Sequence, residues 1–214
     1  DLLQVQIPRE ARAQATRVAD VLGDLVVERF PWSGDSRPAS ESLGELVLNN
    51  TWGPSLAVVG LSGAPDIENA GNTLRPSTSA KLVFRLPPTL DAVSAAALVR
   101  TMLEADPPPG ATVTFELEGA KSGWAAPDLD TWLESSLQRA SDAFFGESMM
   151  TMGTGGTIPF MKMLADQFPG VQFLVTGVLG PASNAHGPNE FLDIETGKRI
   201  TCCVAQVLQD LAAR

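Results

Sequence analysis

Apolar residues recur along this chain at two spacings, and the spacing marks the elements. Ala11, Ala15, Val18 and Leu22 fall on one face of a 3.6-residue period, so Pro8 to Leu22 reads as a helix. Pro8 suits its first turn and Gly23 its stop. Ahead of it, Leu2, Leu3, Val5 and Ile7 form an apolar strand candidate. Residues 31–53 are rich in Gly, Pro, Ser and Asp, with a short helix around Ser42–Leu48. Ser55 to Gly60 is a short apolar strand (Leu56, Val58, Val59), and Gly60 to Pro76 a turn-rich loop. Ala80 to Leu86 alternates with period two: Leu82, Phe84 and Leu86 one way, Lys81, Val83 and Arg85 the other. Thr89 or Asp91 is placed to cap a helix to about Ala105, which Pro107-Pro108-Pro109-Gly110 ends. Ala111 to Glu118 alternates again.

Gly119 to Pro127 is small, polar and turn-prone, and reads as a boundary, with Trp124 as an apolar plug. Beyond it, Pro127 to Phe145 is a helix with Leu133, Leu137, Ala140 and Phe144 on one face. Ser148 to Met152 is a short strand. A helix from Ile158 to Phe168 follows, with Ile158, Met161, Leu164 and Phe168 inward. Val171 to Thr176 is an apolar central strand. A polar loop, 177–190, leads to a closing helix, Lys198 to Ala213, whose inward face is Ile200, Cys203, Val204, Val207, Leu208 and Leu211. Alternating strands and helices give an α/β fold around an open sheet, with helices packed on one face.

Composition narrows the function classes. Apolar residues at 44% and charged residues at 19% support a substantial core. A net charge of −10 argues against nucleic acid and against an anionic membrane surface as partners. No apolar run approaches the ~20 residues of a spanning helix, and no signal peptide is visible. The only cysteines, Cys202 and Cys203, are adjacent, which makes a disulfide between them strained. A reducing, cytoplasmic setting follows. The chain opens at Asp1 with a strand almost at once, and is expected to begin inside a larger protein.

The only histidine, His186, lies in Asn184-Ala185-His186-Gly187-Pro188-Asn189-Glu190. Such a loop suits metal or acid–base chemistry, but one imidazole falls short of the roughly three protein ligands of a catalytic metal site. Its plain alternative is a loop histidine with a local hydrogen bond. Gly155-Gly156-Thr157 precedes a helix, where free N–H groups and a hydroxyl can cradle a carboxylate; the plain alternative is a capping turn.

Several motifs together resemble a known family. Gly155-Gly156-Thr157-Ile158-Pro159 resembles the Gly-Gly-Ser/Thr-Ile-Pro turn of the dinuclear zinc metallopeptidases, which include carnosine dipeptidases, aminoacylases, acetylornithine deacetylase and glutamate carboxypeptidase. Asn184 to Glu190 resembles that family's late His-x-x-Asn-Glu segment, at the family's spacing of about 30 residues. Thr73-Leu74-Arg75-Pro76 and Ala80 to Leu86 resemble its lid-domain elements, and Gly60-Leu61-Ser62-Gly63 the preceding strand and turn. Order and spacing across residues 55–214 carry the match; residues 1–50 match loosely.

The resemblance implies a lid, or dimerisation, domain at 1–120, incomplete at its start. The C-terminal segment of a catalytic domain follows at 121–214. It implies two zinc ions sharing a water that attacks an amide carbonyl. His186 maps to a metal ligand. Arg85, Gly155, Gly156 and Thr157 map to substrate binding; Thr73, Asn189 and Glu190 are further candidates. The general-base Glu and the remaining ligands are expected upstream, so no catalytic residue is expected within this chain, and the chain alone is expected to be inactive. Gly153 and Thr154 stand where many relatives carry Arg and Glu, and Glu118 to Gly123 lacks the histidine of carnosinase-type dipeptidases. The implied substrate is a small peptide or N-acyl amino acid, and the implied assembly a homodimer through the lid. The alternative is a non-catalytic dimerisation or interaction module.

Overall fold

The computed structural model describes residues 2–155, 159–180 and 182–214. The order of elements is α1 (Arg9–Leu22), α2 (Leu25–Glu28), α3 (Leu43–Trp52), β1 (Ser55–Ser62), β2 (Ser79–Arg85), α4 (Ala92–Glu104), α5 (Thr131–Phe144), α6 (Pro159–Gln167) and α7 (Ile194–Ala212). The chain divides into two compact units. One comprises residues 1–7, 49–124 and 155–159; the other comprises 8–48, 125–154 and 160–214.

In the first unit, β1 and β2 pair antiparallel, from Ser55 opposite Arg85 to Ser62 opposite Ser79. The register slips by one residue between Val58 and Gly60, leaving Val59 as the extra residue of a bulge. The alternation expected along β2 holds: Leu82, Phe84 and the following Leu86 are half-buried, and Lys81, Val83 and Arg85 are exposed. Phe84 and Leu86 pack with Leu90, Leu103 and Phe115 against a core of Leu3, Ala95 and Val99. Helix α4 presents that core face because Asp91 caps it, accepting the Ser94 N–H at 2.8 Å. The Ser122 hydroxyl accepts the Ala92 N–H at 3.0 Å and secures the same turn.

In the second unit, α1 buries Ala15, Val18 and Ala19, and stops at Gly23 in a left-handed conformation, φ 52°. Helices α5 and α7 pack together. The expected face of α5 turns inward, with Leu133 at 2% exposure and Ala140 fully buried. Ser136 on the same face is also fully buried. Its hydroxyl donates to Asp210 Oδ2 at 2.6 Å; Arg139 donates to the same oxygen at 2.6 Å, and Gln206 to Oδ1 at 2.8 Å. Cys203 is half-buried with its Sγ 3.6 Å from the Ala140 carbonyl, Cys202 is exposed, and both are free thiols.

The α/β class stands, with three local corrections. First, Ala111–Glu118, Ser148–Met152, Val171–Thr176 and the opening residues carry the apolar patterns of strands, but join no ladder among the described residues. Side-chain alternation reports where side chains are comfortable; a strand also needs a neighbouring backbone. The Phe115 N–H, for instance, is taken by the Glu104 carboxylate at 2.7 Å. Second, Leu208 and Leu211 of α7 are exposed rather than inward, because α7 meets α5 along the narrower stripe of Cys203, Val207 and Asp210; Phe168 after α6 is also exposed. Third, α7 starts four residues early, at Ile194, because Asp193 caps it through the Thr196 N–H at 2.7 Å. Ile158 lies outside the described residues.

Hydrogen bonds from Ser136, Arg139 and Gln206 hold the Asp210 carboxyl below its ordinary range. A depressed folded-state value contributes stability above the unfolded value, about 4, and that contribution is lost as pH falls through the folded one. Urea unfolding against pH should show Asp210→Asn less stable than the parent at neutral pH, with the gap closing below about pH 4. A gap independent of pH would count against the clasp. Leu133→Ala should cost about 3 kcal/mol in the same assay, as expected for a buried leucine.

Candidate functional site

The residues singled out in the sequence form two clusters, one in each unit. In the second unit, the loop from Gly180 to Phe191 is closed on a buried serine. The Ser183 hydroxyl accepts the Gly180 N–H at 2.9 Å, and the Ser183 N–H donates back to the Gly180 carbonyl at 3.2 Å. At the far end, the Phe191 N–H donates to the Ser183 carbonyl at 3.1 Å. Between these ties the chain makes its own bonds. Gly187 N–H donates to the Asn184 carbonyl at 2.9 Å, Asn184 Nδ2 to the Pro188 carbonyl at 2.5 Å, and His186 N–H to Glu190 Oε2 at 3.2 Å.

Tight closure demands left-handed backbone. Ala182, Asn184, His186 and Asn189 have φ of 63°, 53°, 62° and 60°. Asparagine tolerates this region through short local hydrogen bonds; alanine, with no polar side chain, has no such means. His186 is exposed, so its imidazole is accessible. Among the described residues, no group of three or more His, Cys, Asp or Glu side chains is arranged to hold a metal ion. The described donors therefore do not by themselves fit a metal centre; the candidate ligand among them is His186.

In the first unit, Arg85 ends β2 and its Nη1 donates to the Gly155 carbonyl at 2.6 Å. Two residues 70 positions apart, both singled out for substrate binding, are thus brought together. Gly155 is required here by close approach: a β-carbon would run into the Asn50 carbonyl oxygen and lie 3.1 Å from Asn50 Oδ1. Gly156 and Thr157 lie outside the described residues. Thr73 is exposed in the loop between β1 and β2, its N–H bonded to the Gly71 carbonyl at 2.8 Å. Asn189 and Glu190 are exposed beside His186 in sequence.

Two residues escaped the sequence reading. Ser183, the anchor of the His186 loop, sits in a Gly-Pro-Ala-Ser run with no periodicity to mark it. Asn50 is one of the Asn49-Asn50 pair near the end of α3, and only its contact with Gly155 reveals a role.

No family model matches the sequence. Over 155 residues, 72% of this chain, it is 28% identical to a cysteinylglycine-S-conjugate dipeptidase of Corynebacterium striatum, and covers 34% of that protein. Among solved structures, it is similar to the dipeptidase Dug1p of Saccharomyces cerevisiae, with a TM-score of 0.71, 19% identity, and coverage of 99% of this chain and 44% of that one. It is similar also to Sso-CP2 of Sulfolobus solfataricus, an M20 family metallo-carboxypeptidase, with a TM-score of 0.74, 16% identity, and coverage of 96% and 46%. Human carnosine dipeptidase 1 matches with a TM-score of 0.66, 18% identity, and coverage of 98% and 44%. The fold is that of the M20-type metallopeptidases, as the motifs led one to expect, and the chain spans less than half the length of each of these relatives.

Ala182→Gly should stabilise the chain by about 1 kcal/mol, since glycine occupies the left-handed region freely. Gly155→Ala should destabilise by about 1–3 kcal/mol through the collision with Asn50. Equilibrium denaturation of both variants decides; opposite signs would overturn the reading of the two sites.

Proposed function

We propose that this chain is the lid domain, residues 1–120, and the C-terminal part of the catalytic domain, residues 121–214, of a zinc-dependent dipeptidase or related exopeptidase or deacylase. The substrate class is a small peptide or N-acyl amino acid with a free carboxylate. The observation that carries this reading is the contact of Arg85 with Gly155, the first residue of the Gly-Gly-Thr motif. A guanidinium offers several further donors in a planar fork suited to a carboxylate. Gly156 and Thr157, singled out in the sequence for the same carboxylate, lie outside the described residues.

His186 is this chain's share of the metal site. A metal held there with ligands from elsewhere would supply Lewis-acid chemistry, and His186 is the residue of this chain that would hold it. The 214 residues carry neither a His-x-Asp motif nor a Glu-Glu pair, so the general base and the other ligands of such a site are not among the motifs of this sequence. Its thiols and charge suit the cytoplasm. No described helix is long and apolar enough to cross a membrane.

A second reading is assembly. Leu56, Val58 and Leu61 on β1, with Val93 and Met102 on α4, are exposed. A second copy of the chain is the occupant we propose for them, making a homodimer through the lid.

In the intact parent protein, His186→Ala should lower kcat/KM for a dipeptide by more than the 10–100-fold typical of losing an outer-sphere partner of a metal ligand. Arg85→Ala should raise KM for a free-acid dipeptide and leave its C-terminal amide unaffected. Full turnover after His186→Ala or after chelation would refute the peptidase reading. A strict monomer by sedimentation at high concentration would refute the assembly.

A further inference from the structure

We infer that Glu190 is a positioning residue for His186. This rests on the reading of His186 as a functional imidazole given above, but its test does not. The backbone of His186 is left-handed, φ 62°, a region that a residue with a β-carbon leaves unless something holds it. Asn184, another left-handed position near it, has its own device. Asn184 bonds Pro188 through its side chain and Gly187 through its carbonyl, and is tied to the buried Ser183 beside it. For His186 the holding contact is the carboxylate of Glu190, which accepts its N–H at 3.2 Å.

The spacing suits the task, because four residues return the chain across a turn that Gly187 and Pro188 shape. The direction of the imidazole follows from the backbone that carries it. Glu190 therefore sets where the ring points without touching the ring, in the manner of residues that orient a ligand from behind.

The chain contains a single histidine, so its signals are unambiguous in a nuclear magnetic resonance spectrum of the 214-residue protein. In Glu190→Ala, exchange of the His186 amide hydrogen should accelerate about fivefold, the factor an ordinary net hydrogen bond supplies. The scalar couplings that report φ at His186 should leave the left-handed range. Glu190→Gln keeps an acceptor oxygen at the same reach and should keep both close to the parent values. Unchanged exchange and couplings in Glu190→Ala overturn the inference, and so does a glutamine variant that behaves like the alanine one. Should the alanine variant fail to fold, the glutamine variant decides alone: parent-like values support the brace and altered ones refute it. Failure of the functional reading shows separately, as undiminished metal content of the intact parent carrying His186→Ala.

Discussion

The second unit depends on a polar clasp set between two helices. Ser136, fully buried on α5, and Arg139 one turn on both donate to one oxygen of Asp210 on α7, and Gln206 takes the other. Hydrogen bonds to both of its oxygens outweigh the smaller cost of the partial burial of this carboxylate. The clasp fixes rotation and register in a way that the small apolar residues around it do not. Ala140 and Val207 are buried on the same two helices, and their apolar contacts are less directional than the hydrogen bonds of the clasp. The polypeptide that leads out of α5 and back into α7 includes the whole His186 loop.

Helices were legible in the sequence, and some of their caps, though the Asp193 cap that starts α7 at Ile194 was not. Asp91, Gly23 and the face of Leu133 and Ala140 all follow from local rules, because a helix satisfies its own backbone. Strands were legible only where the partner lay near in sequence, as in the β1–β2 pair. The alternation at 111–118 was read as a strand, yet the Phe115 amide found a carboxylate rather than a neighbouring strand. Pairing is a property of two segments, and one-dimensional pattern carries it poorly.

The site divides similarly. His186, Arg85 and Gly155 were identifiable because their residue types are chemically expressive. Asn50 and Ser183 were not, because an amide in a helix and a serine in a loop acquire meaning only from what lies opposite them. Motif order pointed to the M20-type fold, and the structural likeness at 16–19% identity bears that out where the sequences have largely diverged. Packing constraints outlast residue identity.

The slip of register at Val59 has a consequence for how β1 is read by another chain. A regular free edge is a template that any extended segment can copy indefinitely. Here the ladder runs from Ser55 to Val58, breaks, and resumes at Gly60. A partner strand must carry a matching irregularity or stop short. The bulge thus acts as a grammar at the rim of the sheet: it admits a finite and particular complement and leaves endless stacking without a continuation.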